Sequence, residues 1–270
     1  MQGSSRAAFA AGHDAFAAAL SSGADWSQLA DDLFAVTGAL DSSASLRRAL
    51  VDPSRDASAK RALVQGLFGP KVSEASAELL KVLVSQRWAE DRDLGDATEA
   101  LAVEAVVASA ESADRLDALE DDLFRFGRVV AADSGLRDAL SAHGGDENVK
   151  ASLVEALLAG KASAETIRLV RQAALHARGR RFGRVLDEYL VIAAKRREQL
   201  TATVTAVFEL DDTHRQRLAS ALSGIYGRPV HINVVLDPTL VGGIRVQVGD
   251  EVVDGTILRR LQEAERGLLR

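Results

Sequence analysis

The chain has no cysteine, four prolines and one methionine, and aromatic residues make up 4% of it. Without cysteine there is neither a disulfide framework nor thiol chemistry, a composition that fits a reducing compartment. Proline is scarce while alanine and leucine abound, so helix is expected over most of the 270 residues. No run reaches the roughly eighteen apolar residues of a membrane span. The alanine-rich opening from Ala7 to Leu20 is interrupted by Gly12, His13 and Asp14, which makes it a poor signal-peptide core. A cytoplasmic chain that meets a membrane only through partners is the expectation. The net charge is −6 with both signs intermixed, and a nucleic-acid binder usually carries a basic stripe instead. Two short basic clusters, Arg178-Gly179-Arg180-Arg181 and Lys195-Arg196-Arg197, read as helix ends or solvated helix faces.

The length allows one to three domains with ample material for a core. An internal repeat organises most of it. At an offset of ninety residues, Asp31-Asp32-Leu33-Phe34 recurs as Asp121-Asp122-Leu123-Phe124. Leu46, Arg47, Ala49 and Leu50 recur as Leu136, Arg137, Ala139 and Leu140, and Lys60, Leu63, Val64 and Leu67 as Lys150, Leu153, Val154 and Leu157. Lys71, Ser73 and Leu79 return as Lys161, Ser163 and Leu169. About twenty of roughly seventy pairs match without a gap, and the unit is too long for a solenoid, so each copy reads as a small helical domain. Leu116, Leu119, Leu123, Phe126 and Val130 make one apolar helical stripe, as do Leu29, Leu33, Val36 and Leu40 in the first copy. Shorter helices are expected at 46–50, 59–67 and 74–86, and again near 136–140, 149–158 and 164–176. Asp52-Pro53, Gly69-Pro70, Gly144-Gly145 and Gly160 punctuate them. The segment from Leu94 to Glu111 closes copy one and also holds the first-helix position of copy two, so it reads as a shared helix.

From Thr201 the period changes. Val204, Ala206 and Phe208 alternate as a strand would, Asp211-Asp212-Thr213 can cap a helix bearing Leu218, Leu222 and Ile225, and Val230, Ile232 and Val234 alternate again. Asp237-Pro238 then ends a strand, Gly242-Gly243 allows a tight bend, and Ile244, Val246 and Val248 alternate with Arg245 and Gln247. Gly249-Asp250 is turn chemistry, Val252-Val253 a return strand, and Asp254-Gly255-Thr256 a helix start before Ile257, Leu258, Leu261, Leu268 and Leu269. The expected fold is therefore mainly α with a small α/β C-terminal domain. Two tandem helical bundles, 1–95 and 96–199 with a shared helix at about 94–111, precede a strand-helix-strand-hairpin-helix unit at 200–270.

Catalytic and metal constellations are weak. His13, His143, His176, His214 and His231 lie at no metal-ligand spacing, and no serine sits in a nucleophile elbow. Neighbouring acids on a helix do not face each other. Asp211-Asp212 therefore reads as a cap, and Asp31-Asp32 and Asp121-Asp122 as solvated. No phosphate loop is present, because Gly242, Gly243 and Gly249 lack its lysine and helix start. Arg245 and Asp254 read as an exposed strand arginine and a hairpin-edge cap. No catalytic residue, cofactor or metal is assigned.

The ordered string Asp237, Leu240, Gly242, Gly243, Ile244, Val246, Val248, Gly249, Asp250, Val252, Val253, Asp254, Gly255 and Thr256 resembles the C-terminal signature of the delta subunit family of F-type ATP synthases, called the oligomycin-sensitivity-conferring protein in mitochondria. Family chains have one six-helix domain and one α/β domain, a layout that residues 96–270 match. Ser5-Arg6-Ala7-Ala8-Phe9 looks like the usual family start, yet it heads copy one. The extra copy is similar to the actinobacterial form, which is in some cases fused to a b-type stalk subunit; with no b-like membrane segment, delta alone is expected.

The resemblance implies a non-catalytic stator subunit on the cytoplasmic face of the membrane. Its helical domain would cap the α/β head and its C-terminal domain would meet the b-type stalk, so that proton flow stays coupled to ATP synthesis. It implies no nucleic acid and no direct membrane insertion. By analogy with the family start, Arg6, Phe9, His13 and Phe16 would face a segment of an α subunit, with Phe9 and Phe16 also readable as core. Asp237, Leu240, Gly242, Gly243, Gly249, Asp250, Asp254 and Gly255 would shape the C-terminal domain. Which copy holds the head stays open, and a generic helical adaptor of the same topology is the alternative.

Overall fold

The structure is a computed structural model that describes residues 3–142, 146–199, 201–208, 210–226, 230–237, 240, 242–248 and 251–254. Copy one carries α1 (Ser4–Ser21), α2 (Trp26–Ser42), α3 (Ala44–Val51), α4 (Ala57–Leu67) and α5 (Glu74–Ser85). Next come α6 (Asp93–Ser112), α7 (Leu116–Ala132), α8 (Ser134–Ser141), α9 (Glu147–Leu158), α10 (Ala164–Leu175) and α11 (Phe182–Gln199). The starts of α2 to α5 recur ninety residues later at the starts of α7 to α10. The repetition is built into the caps. Ser43 and Asp133 accept the N–H groups of Leu46 and Leu136, Asp56 and Asp146 those of Ser58 and Asn148, and Ser73 and Ser163 those of Ser76 and Thr166. Each satisfies a donor that the helix cannot satisfy itself.

The chain divides into two compact units, Met1–Ala193 and Ala194–Arg270. In the first, α6 is the central element. It is apolar on nearly every side and buries residues from Leu94 to Ala110, as a helix enclosed all round must. It packs against α1, α2 and α3 of copy one and against α7 and α10 of copy two. The face Leu94, Ala97, Thr98, Leu101, Ala105 and Ala108 has its counterpart in α11 at Phe182, Val185, Leu186, Tyr189, Ala193 and Arg196, all buried. Here the offset is eighty-eight rather than ninety, so a two-residue deletion precedes α11.

The second unit holds β1 (Thr201–Ala206), α12 (Asp212–Tyr226), β2 (His231–Leu236), β3 (Ile244–Val248) and β4 (Glu251–Asp254). The strands form one sheet in the order β2-β1-β3-β4, with β1 parallel to β2 and antiparallel to β3, and β3 antiparallel to β4. Ala202, Val204, Val246 and Val248 pack with Leu222 and Val230 into a small core, and Leu218, Ile232 and Ile244 flank it. The expected first strand ends two residues early. The Ala206 carbonyl accepts the Asp237 N–H at 2.9 Å, and Phe208 lies beyond the strand, 80% exposed. Asp211 caps α12 through the His214 N–H at 2.7 Å. The C-terminal helix expected from Ile257 to Leu269 lies outside the described residues, as do His143 and Gly144-Gly145.

Candidate partner interface and the joint between the helical copies

Of the first-helix residues, Arg6 is exposed, Phe9 and His13 are half-buried, and Phe16 is core at 1% exposure. The spacing Phe9, His13, Phe16 aligns the three rings along one side of α1, with centroids 6.4 and 6.3 Å apart. His13 Nε2 meets Glu104 Oε1 of α6 at 3.0 Å. Ser5 is fully buried at the start of α1. Its hydroxyl donates to Asp93 Oδ2 at 2.5 Å and accepts the Ala89 N–H at 2.8 Å, which pins α1 to the α5–α6 connection. Gly12 faces α5 so closely that a Cβ would collide with Leu83 Cδ2. These contacts hold α1 by one side, and Ala7, Ala10, Asp14 and Ala18 are exposed on the other.

The basic cluster after α10 is not a solvated face. The side chain of Arg178 is 9% exposed and that of Glu99, on α6, 3%. Arg178 Nη1 donates to Asp96 Oδ1 at 2.7 Å and Glu99 Oε2 at 3.0 Å, and its Nε lies 2.7 Å from Asp41 Oδ2 on α2. Arg180 Nη2 straddles Glu99 at 2.6 and 2.7 Å, its Nη1 donates to Glu188 at 2.6 Å, and the Tyr189 hydroxyl donates to Glu99 at 2.8 Å. A second arginine, Arg168 of α10, donates to the Ser27 hydroxyl and carbonyl at 3.1 and 3.0 Å and to Asp31, with its guanidinium 6.0 Å from the Phe34 ring. Copy two thus grips α2 of copy one at both ends. Gly95 makes room for this, because a Cβ there would lie 2.8 Å from Arg178 Nη2.

The surroundings set the charge states. Burial alone would lower the two arginines, but hydrogen bonds and charge from Glu99, with Asp96 and Asp41 at Arg178 and Glu188 at Arg180, hold both above the ordinary value. Burial pushes Asp96 up despite the Arg178 beside it. Burial and then the charge of Glu99 raise Tyr189 well above the usual phenol, so its hydroxyl stays a donor. The sequence reading passed over this cluster. The signal was Glu99 and Glu104 flanking and interrupting the run of alanines, leucine and valines from Ala100 to Ala108, since enclosed carboxylates need partners.

The paired acids are also corrected. Asp31 and Asp121 are exposed, but Asp32 is buried and docks α5 onto α2. It accepts the Ser73 N–H and the Ser76 hydroxyl at 2.8 Å each and Gln28 Nε2 at 2.7 Å. Burial would raise this carboxyl; the hydrogen bonds from Ser73, Ser76 and Gln28 outweigh it and hold it below the ordinary range. The counterpart in copy two is looser, with the Thr166 hydroxyl 3.4 Å from Asp122 Oδ2.

In the α/β unit, the Asp237 carbonyl accepts the Leu240 N–H at 3.2 Å, a turn that leads into Gly242 and Gly243 at φ +73° and +80°. Both glycines hold the left-handed region that other residues avoid, and the chain then enters β3. Arg245 is exposed and stands opposite Asp254 in the β3–β4 register. Gly249, Asp250 and Gly255, and the side chain of Asp254, lie outside the described residues. The motif residues that are described lie in a turn and a hairpin. Among the described residues no three His, Asp or Glu side chains converge as metal ligands, and no helix is long and apolar enough to cross a membrane.

A family model described as the ATP synthase delta (OSCP) subunit matches residues 14–91 and 103–268. The chain is 52% identical over 246 residues to the ATP synthase subunit delta of Kineococcus radiotolerans, covering 91% of this chain and 89% of that one. It is 44% identical over 265 residues to the protein of the same name from Streptomyces avermitilis, covering 98% and 97%. With that of Beutenbergia cavernae it shares 45% over 269 residues, covering 99% of each chain.

Proposed function

The chain belongs to the ATP synthase delta (OSCP) family, and from that premise we propose that it is a non-catalytic stator subunit of the rotary enzyme. It ties the α/β head to the b-type stalk on the cytoplasmic face of the membrane, so that the head resists the torque of the rotor. The observation that carries this reading is the match to the family along nearly the whole chain, through both helical copies and into the α/β unit. We divide the protein into helical bundles 1–95 and 96–199, with α6 counted in both, and an α/β domain at 200–270. The joint between the copies supports a load-bearing role. Charged groups clamped at both ends of α2 oppose separation of the bundles, and directional bonds of this kind resist sliding better than an apolar seam does.

A helical surface suits attachment, because an amphipathic segment can lie along two helices. On α1 we assign Arg6, Phe9, His13 and Phe16 to the contact with a head segment, with Arg6 and Phe9 the more exposed and the buried Phe16 a support. Gly242, Gly243, Asp237 and Leu240 shape the hairpin of the domain assigned to the stalk. The test is reconstitution of the membrane sector, head and b-type subunit with and without this chain. Omitting it should abolish proton-driven ATP synthesis while free heads still hydrolyse ATP. Normal synthesis in its absence would sink the proposal.

A further inference from the structure

The surface by which copy one holds copy two has its own counterpart in the repeat. On α2, Arg168 donates to the Ser27 carbonyl and to Asp31 and lies against the ring of Phe34, which is half-buried. The helix α6 packs against both α2 and α10. It presents Glu99 to Arg178 and Arg180, and its Val103 is fully buried. In copy two the same places fall on α7 and α11, which touch through the Phe126 and Phe182 rings, 6.1 Å apart. Ser27, Asp31 and Phe34 become Asp117, Asp121 and Phe124, and Glu99 and Val103 become Asp187 and Val191. The chemistry persists but the cover does not. Phe124 is 59% exposed and Val191 67%, and Asp117, Asp121 and Asp187 lie at the surface. Asp121 meets its own helix neighbour Arg125 at 2.9 Å, an exposed pair of a kind that contributes little.

We infer that this face of copy two, along α7 and the matching side of α11, docks an arginine-bearing amphipathic helix of the b-type stalk subunit. The joint inside the molecule is the template, because the equivalent side chains of copy one already hold an arginine from a neighbouring helix. Asp117 and Asp121 set two carboxylates one turn apart where copy one has a single one, and Phe124 follows a turn later. A guanidinium can pair with a carboxylate there and stack on the ring, which an ammonium does less well. The far end of the face has changed sign. Gly38 and Asp96 become Arg128 and Arg184, and Asp41 becomes Ala131, so the clamp that receives Arg178 in copy one is gone. The docked helix therefore carries arginine over Asp117 and Asp121, apolar side chains along Phe124 and Val191, and a carboxylate toward Arg128 and Arg184. A second copy of this chain does not fit, since stacking by the same repeat would bring Glu78, in the place of Arg168, against Asp121. The stalk is the source because α11 runs on into β1 of the domain assigned to it. This rests on the stator reading, which supplies the partner; the face and its charge pattern rest on the repeat.

The test uses the complete chain in the reconstituted synthase. A photo-crosslinking amino acid in place of Phe124 should trap an arginine-bearing helix of the b-type subunit. The same group in place of Val149, which is exposed on α9, should trap no b-type segment. Asp121→Lys should raise the concentration of chain needed for half-maximal recovery of coupled synthesis by about tenfold, and Phe124→Ala by about fivefold. Val149→Ala should change it by less than about twofold. Melting curves that match the unaltered chain establish that the variants are folded, and the cross-link is read with the acidic residues intact. Capture at 124 of a head subunit, of this chain's own residues 255–270 or of a second copy overturns the inference. So does no capture at 124, or wild-type behaviour of both Asp121→Lys and Phe124→Ala. Failure of the unaltered chain to enter the complex and support synthesis would instead bring down the stator reading, and this inference with it.

Discussion

Copy one and copy two start corresponding helices ninety residues apart and cap three of the four pairs with the same kinds of side chain, yet their buried polar chemistry has diverged. Copy one docks its fifth helix with a tight, triply bonded carboxylate at Asp32, whereas copy two leaves Asp122 with one long contact to Thr166. Copy two in turn holds Arg168 and Arg178 where copy one has Glu78 and Trp88. The same fold is self-contained in one half and reaches outward in the other. Duplication thus yields a bundle that latches onto its own twin, while the twin's first helix stays available on one side.

That latch gives the largest expected effect. Glu99 has no counterpart in copy one, where Phe9 stands at its place, and it accepts from Arg178, Arg180 and Tyr189 together. Replacing Glu99 by Ala leaves two enclosed guanidinium groups short of their acceptor, which should cost about 3–5 kcal/mol and lower Tm on the order of 10 °C. Phe9→Ala in copy one removes apolar contact from a half-buried ring and should cost less. Calorimetry on the two variants side by side decides it: equal losses would mean that the joint is held by its apolar surfaces and that the ion cluster is incidental.

The next comparison sets Asp32 against Asp122. Asp32→Ala strands the Ser73 amide and the Ser76 hydroxyl in a buried setting and should destabilise by about 2–3 kcal/mol, against about 1 kcal/mol or less for Asp122→Ala. Acid sharpens the contrast. The folded-state value of Asp32 is depressed below its unfolded value of about 3.9, so its contribution is fully present above that pH and fades as pH falls through the folded value. Denaturant titrations at neutral pH and below about pH 3.5 should therefore show the gap between wild type and Asp32→Asn closing on acidification. A gap that stays constant would show that the carboxylate charge is not what docks α5.

The sequence makes the α/β unit and the helical repeat legible because both are periodic. Alternation at Val204 and Ala206 marks β1, and the stripe Leu116, Leu119, Leu123, Phe126 and Val130 marks α7. Hydrophobic period reports which face of an element is buried; it does not report what covers the element. The run Arg178 to Arg181 reads as a helix end or solvated face, and Asp31-Asp32 as solvated, because adjacent residues do not reveal what encloses them. The groups that enclose them come from elsewhere, Glu99 some eighty residues away and Ser73 some forty. The end of β1 before Phe208 was hidden for the same reason, since the Asp237 amide that closes it arrives from the next strand. Glu99 and Glu104 were the readable clues: carboxylates beside and within the apolar run from Ala100 to Ala108 predict partners even when their identity cannot be named.

The smallest effect tests whether the copies remain equivalent where nothing has diverged. Ser73 and Ser163 cap α5 and α10 at matching positions, accepting the Ser76 N–H at 3.3 Å and the Thr166 N–H at 3.1 Å. Each hydroxyl also meets that of the same residue, at 2.9 and 3.0 Å. Ser73→Ala and Ser163→Ala remove the same acceptor and leave the Ser73 amide bond to Asp32 in place, so each should cost about 1 kcal/mol. Because the two serines cap different helices and share no hydrogen-bond partner, the two losses should add in the double variant to within a few tenths of a kcal/mol. A markedly larger cost at Ser73, read from urea midpoints, would mean that the cap and the Asp32 network act as one cooperative unit. The tighter docking of copy one would then extend through the start of its fifth helix.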